Sequence, residues 1–202
     1  MAEETRVRAG IALFALLALG LCGCALRPAD TTPLPGGGNW RALPPGLLGQ
    51  SLSAVQRVTG QFGERRAVMV FYLEVEGDHL ALVGTLPDGS ELFSLEQNGA
   101  KVAVNRSPLM PAQLRPLAVL ADLQLIYWPE RALRPALAAS GLELADERGD
   151  GGLREVRRGP QTLISIHYAA RDPWRGAIDF EQRAWSYRYT VETLELERQS
   201  AP

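Results

Sequence analysis

The sequence predicts an α+β fold: a strongly curved antiparallel half-barrel sheet of about ten strands, with an inserted helical hairpin covering its concave face. Three observations predict it. Apolar and polar residues alternate through two blocks, near 56–105 and 142–196, and turn dipeptides break each block at short intervals. Between the blocks, from Pro111 to Gly141, the apolar period becomes that of a helix. Both cysteines, Cys22 and Cys24, lie near the start, so everything after them must be held by core packing without disulfides.

Met1 to Gly23 has the parts of a secretory signal in order: Arg6 and Arg8, an apolar run from Ile11 to Leu21, then small residues. The run ends Leu21-Cys22-Gly23-Cys24, which resembles the lipobox of bacterial lipoproteins and predicts cleavage before Cys24 and lipidation of that residue. Cys22 fits less well, because the bulky Leu21 precedes it. The competing reading is an uncleaved membrane helix over residues 9–26, which at 18 residues is short for about 30 Å of hydrocarbon. The lipoprotein resemblance implies a diacylglyceryl thioether on Cys24, usually with a third chain on its amine. It also favours the outer membrane, since Ala25 is not the Asp that retains such proteins at the inner one. Residues 24–45 are rich in Pro, Gly and Thr and read as a flexible tether. The folded domain is expected over 46–198.

In the first block, strands are expected at Gln56–Phe62, Ala67–Glu76, His79–Leu86, Ser90–Gln97 and Lys101–Asn105, with turns at Gly77-Asp78, Pro87-Asp88-Gly89 and Asn98-Gly99. Two helices follow, near Leu114–Tyr127 and Glu130–Ser140, separated by Trp128-Pro129. The first is apolar around most of its circumference, which predicts burial on several sides. Strands resume at Leu142–Ala145, Leu153–Arg157, Thr162–Tyr168, Ala177–Phe180 and Trp185–Leu196. In the last, Trp185, Tyr187, Tyr189 and Val191 share a face before the parity switches to Leu194 and Leu196. That switch predicts a bulge.

A net charge of −2 argues against a nucleic-acid partner. The arginines concentrated after Arg148 suit either solvated strand faces, the default, or a face for anionic lipid headgroups. No Gly-x-Ser-x-Gly, Walker or His-Glu-x-x-His motif is present, and His79 and His167 lie on separate strands. No metal, cofactor or enzymatic activity is expected. Asp122 has two readings: a polar group gating a cavity mouth, hydrogen-bonded to Tyr127 or an arginine, or, favoured, a water-facing residue on a polar stripe with Gln124 and Arg115. Trp128 either lines a cavity or packs in the core. The apolar loop Ser107–Pro111 either touches a membrane or partner or covers the sheet edge.

Four stretches carry a family resemblance: Leu43-Pro44-Pro45-Gly46-Leu47-Leu48-Gly49, Leu80-Ala81-Leu82-Val83 with Pro87-Asp88-Gly89, the run from Leu120 to Pro129, and Ile164-Ser165-Ile166-His167-Tyr168. With the lipobox they resemble LolB-like outer-membrane lipoproteins of the LolA/LolB-like superfamily, in particular a family associated with aryl-polyene or polyketide-lipid clusters. The resemblance implies a non-catalytic, lipid-anchored carrier or acceptor of a hydrophobic molecule at the periplasmic face of the outer membrane, with a periplasmic LolA-like carrier as a candidate partner. One departure is that the hairpin tips at Gly63–Arg66 and Pro87–Gly89 are polar, whereas a LolB-type acceptor presents an apolar residue on a protruding loop. From the strand faces and the helix, the expected ligand-binding residues are Met69, Phe71, Leu73, Leu80, Leu82, Phe93, Leu120, Leu123, Trp128, Ile164, Ile166, Tyr187 and Tyr189, with Asp122 gating. The alternative is an accessory outer-membrane lipoprotein with a filled interior that holds partner proteins.

Overall fold

A computed structural model describes residues 31–62, 65–147 and 152–199. The signal region, Cys24 and part of the Gly63–Arg66 tip lie outside the described residues. A short hairpin, β1 (Thr31–Pro33) and β2 (Asn39–Arg41), leads through a 310 turn (Pro45–Leu48) into β3 (Leu52–Phe62). Then come β4 (Arg65–Glu76), β5 (His79–Thr85), β6 (Glu91–Asn98) and β7 (Lys101–Arg106). Two helices, α1 (Pro116–Tyr127) and α2 (Glu130–Ala138), precede β8 (Glu143–Glu147), β9 (Leu153–Arg158), β10 (Gln161–Tyr168), β11 (Ala177–Gln182) and β12 (Tyr187–Arg198).

Ten of these strands form one antiparallel sheet in the order β7-β6-β5-β4-β3-β12-β11-β10-β9-β8. It is open, because its two edges, β7 and β8, do not pair with each other. Those edge strands directly precede and follow the helices in the chain. The connection must therefore cross from one side of the sheet to the other, and it lays α1 over the inner face on the way. Register shifts at Gly84/Thr85, Thr162/Ile164 and Thr193/Glu195 bend the strands. The last is the bulge expected in β12. Leu194 is its extra residue and points to solvent, while Leu196 regains the inner side and packs on the core.

Helix α1 begins with Pro116, whose missing N–H costs nothing there, and stops before Pro129. Its last carbonyls are taken by side chains from the sheet. Arg154, fully buried, donates to the carbonyls of Leu125 (2.6 Å) and Trp128 (3.0 Å) and pairs with Asp146 at 2.7 Å. Tyr168 donates to the Ile126 carbonyl at 2.7 Å. A cation and a hydroxyl thus complement the negative end of the helix dipole.

The all-round apolar character of α1 has a structural reason. One face looks onto the sheet, and the opposite face is covered by the β1–β2 segment. The tether expected over 24–45 is corrected here from residue 31 onward. Leu34, Trp40 and Ala42 are buried, and Gly36, Gly37 and Gly38, all at positive φ, form the β1–β2 turn. Arg158 pins that turn by donating to the Gly36 carbonyl. Gln124 is corrected with it. Far from facing water, its side chain is fully buried, accepts from the Trp40 indole (2.9 Å) and the Leu43 N–H (2.9 Å), and donates to the Leu43 carbonyl (2.8 Å). Gln97, also buried, donates to the same carbonyl at 2.9 Å. This polar cluster fixes the N-terminal segment to α1 and β6.

Candidate functional site: an apolar cavity under helix α1

Where β4, β3 and β12 run side by side at the middle of the sheet, α1 stands off far enough to leave a cavity of about 410 Å³. The helix contributes Arg115, Ala118, Val119, Asp122, Leu123 and Ile126, the spacing of a single helical face. Opposite them lie Met69 and Phe71 of β4, Gln56 and Val58 of β3, and Tyr187, Tyr189 and Val191 of β12. Backbone register aligns these positions: Val58 pairs with both Met69 and Val191, and Gln56 with Phe71 and Thr193. The deep end is closed by Tyr127, which accepts a hydrogen bond from Gln56 at 2.7 Å and stacks on Trp174 with centroids 3.8 Å apart. Burial pushes the Tyr127 phenol well above its ordinary range.

The mouth lies at the start of α1, where Gln113, Leu114 and Arg115 meet Trp185 and Ser186 of the β11–β12 turn. The Arg115 guanidinium sits over the Trp185 ring, 5.3 Å from its centroid. Gln182 accepts from the Trp185 N–H at 2.9 Å, and Ser186 holds a φ of 52°, unique among described non-glycine residues in being positive. A hydroxyl-bearing residue in that region stores local strain, which the surrounding turn must hold in place.

Asp122 is the one carboxyl in the lining. It accepts hydrogen bonds from Tyr187 (2.8 Å) and Tyr189 (3.3 Å), and the two phenols stack with Phe180 into an aromatic wall. Loss of water pushes the Asp122 carboxyl up to about 7, against the pull of the two hydroxyls. Burial first, then the adjacent Asp122, push both phenols upward. Asp122 therefore belongs to the cavity wall, with tyrosine partners from β12 in place of Tyr127 or an arginine. Of its two expected settings the cavity is the nearer one, with different partners, and the polar stripe shared with Gln124 is not found.

Of the residues expected to meet a ligand, the structure brings Met69, Phe71, Leu123, Tyr187 and Tyr189 to the cavity, together with Asp122. It does not bring Leu73, Leu80, Leu82, Phe93, Leu120, Trp128, Ile164 or Ile166 to it; all eight are buried in packed core. Phe93 shows why. Its ring lies over Gly84, so close that a Cβ there would sit 2.3 Å from a ring carbon, and it meets Phe71 edge-on at 5.8 Å. That half of the sheet fills itself. Trp128 is likewise core, its indole donating to the Pro44 carbonyl at 3.2 Å. Arg115 and Gln56 were not named for the site, and Tyr127, expected there only as a partner of Asp122, bonds to Gln56 instead. The i, i+7 spacing of Arg115 and Asp122 places both on one helix face and could have suggested the first.

Among the described residues no group of histidine, cysteine and carboxylates could hold a metal, and no helix is long and apolar enough to cross a membrane. His79 bonds to Asn98 across β5 and β6, and His167 is exposed. In the Ser107–Pro111 loop Met110 is buried and Leu109 is 62% exposed.

The segment that forms the cavity's sheet wall and its helix, residues 53–195, matches the family described as "Protein of unknown function (DUF3261)". The chain belongs to the DUF3261 family. The family match spans both halves of the sheet and stops short of the β1–β2 hairpin that covers α1 in this DUF3261 member. No curated protein matches the sequence. Among solved structures, an outer membrane lipoprotein-sorting protein domain from Vibrio parahaemolyticus superposes with a TM-score of 0.40 at 11% identity, over 76% of this chain and 87% of that one. That likeness is too distant to transfer a function.

Proposed function

We propose that the protein is a non-catalytic, lipid-anchored carrier or acceptor of a hydrophobic molecule at the periplasmic face of the outer membrane. The observation that carries this reading is the cavity: about 410 Å³, walled mainly by Val58, Met69, Phe71, Val119, Leu123 and Val191, and reached from one end. A void of that size and lining lies in the range of ligand pockets, and it gains about 25 cal/mol for each Å² of apolar ligand surface it removes from water. The polar groups inside are already bonded to one another, as expected of a site that holds a chain and transforms nothing. The anchor rests on the Leu21-Cys22-Gly23-Cys24 pattern.

Two measurements test the reading. The full chain should take up a fluorescent fatty-acid analogue saturably, and Ala118→Trp, which places an indole in the cavity from a half-buried position of the helix lining it, should abolish uptake while leaving the circular dichroism unchanged. An unaltered uptake in Ala118→Trp would place the bound probe elsewhere. Separately, Cys24→Ser should yield an unprocessed precursor that incorporates no palmitate; label in that variant, and none in Cys22→Ser, would move the anchor to Cys22.

A further inference from the structure

The cavity's size and the distribution of charge along it restrict what could occupy it. An apolar cavity of roughly 150 Å³ accommodates one benzene. On that scale 410 Å³ has room for roughly sixteen carbon atoms. That is one long acyl chain, and far less than the two or three chains of a diacyl lipid or a mature lipoprotein. The shape agrees: the lining runs along α1 from Arg115 to Ile126, about 16 Å at the helical rise, and is closed at Tyr127.

Polarity is arranged end to end. Inside, Tyr187 and Tyr189 give their hydroxyls to Asp122, and Gln56 gives its amide to Tyr127. No cation lies among the interior lining residues, so a negatively charged head has no counter-charge there and would meet the Asp122 carboxyl. The one cation of the lining is Arg115 at the mouth. It forms no ion pair among the described residues, is exposed, and is held in place by the Trp185 ring. The first turn of α1 opens at the same rim with no acidic residue in it, which adds a positive field.

We propose that the cavity takes single-chain amphiphiles with an anionic head, the tail lying between α1 and the β3–β12 pair and the head resting on Arg115. This deepens the carrier reading and rests on it. A carboxylate and a phosphate monoester share the recognised chemistry, since a guanidinium offers both the same pair of N–H donors.

Native mass spectrometry of the full chain held in an amphipol can count bound molecules. The probes are hexadecanoate, hexadecyl phosphate, neutral hexadecanol and two-chain dihexadecanoyl phosphatidate. One molecule per chain of hexadecanoate or hexadecyl phosphate should bind, at least tenfold tighter than hexadecanol, while the two-chain lipid competes at least tenfold more weakly. A preference for the carboxylate alone identifies a fatty acid as the source, one for the phosphate alone a monoacyl phosphate, and either supports the proposal. Arg115→Gln should bring the anionic probes down to the level of hexadecanol, whereas Arg134→Gln, at an exposed arginine of α2 outside the cavity lining, should not. Equal binding of hexadecanol and hexadecanoate, a preference that survives Arg115→Gln, or two-chain lipid binding as tightly as one-chain, would overturn the proposal and leave the carrier reading standing. Failure of every probe to bind would overturn the carrier reading itself.

Discussion

Asp122 shows how much a single residue's setting depends on distant chain. From the helix alone it reads as polar and solvent-facing. Its partners Tyr187 and Tyr189 lie more than sixty residues later, on a strand that the sequence pairs with nothing in particular. The setting has a thermodynamic consequence. In the unfolded chain the carboxyl ionises near 3.8, and in the folded protein near 7. Between those values the folded state holds a proton that the unfolded state has lost. Stability contributed at this site is therefore full below about pH 4, falls as pH rises towards about 7, and levels off above it. At roughly 1.4 kcal/mol per unit, the total loss is on the order of a few kcal/mol. Asp122→Asn, which carries no charge at any pH, should melt with little dependence on pH across that window and be more stable than the parent at pH 8. Thermal melts from pH 4 to 8 check this; parallel curves for the two proteins would show that Asp122 has no raised affinity for its proton.

At the scale of elements, most of the fold was legible. Each strand from β3 to β12 and both helices lie near where alternation, turn dipeptides and the change of period put them, though β3 starts at Leu52, four residues before its expected start, and the parity switch in β12 is the bulge at Leu194. What was not legible is the β1–β2 hairpin. Leu34, Trp40 and Ala42 follow no period, and a Pro- and Gly-rich stretch with three consecutive glycines has the composition of a linker. It is ordered by a receptor that the local sequence does not contain: the Gln124 amide on α1. Gln124→Leu should therefore release the segment. Replacing the amide leaves the Trp40 indole and the Leu43 N–H without this partner, at about 1–3 kcal/mol for each group left unsatisfied, while the Leu43 carbonyl keeps its bond from Gln97. The expected result is a lower melting temperature with rapid amide exchange confined at first to residues 31–44. Global loosening with no early exchange there would mean that Gln124 serves the core in general and not this segment.

For the whole molecule, the same reasoning explains why the site residues were harder to place than the strands. Sequence alternation marks which residues face inward, and Leu80, Leu82, Ile164 and Ile166 do so as much as Met69 and Tyr189. It does not mark where α1 touches the sheet and where it stands away. That depends on side-chain volume across the fold, as with Phe93 closing over Gly84 on one side of the cavity. An unfilled site in the interior also withholds stability that packing would supply. Ala118→Trp should consequently do more than block uptake: filling apolar space commonly adds about 0.5–2 kcal/mol, or roughly 1–8 °C in melting temperature for a chain of this length. A ligand-free variant that melts lower than the parent would show that the cavity walls cannot accept the indole.

The strand order also dictates when the molecule can become itself. The pair at the centre of the sheet, β3 and β12, joins Leu52 to Arg198 and Phe62 to Tyr187, the first and last strands of the sheet in the sequence. A chain that emerges with its N-terminus leading can assemble β3 to β7 as a meander, but β3 gains its inner neighbour only when the last strand arrives. Folding then waits on the most distant contact, the circumstance that makes folding slow. Such a protein stays pliable for as long as its last strand is still being made, and its cavity has no complete wall until then.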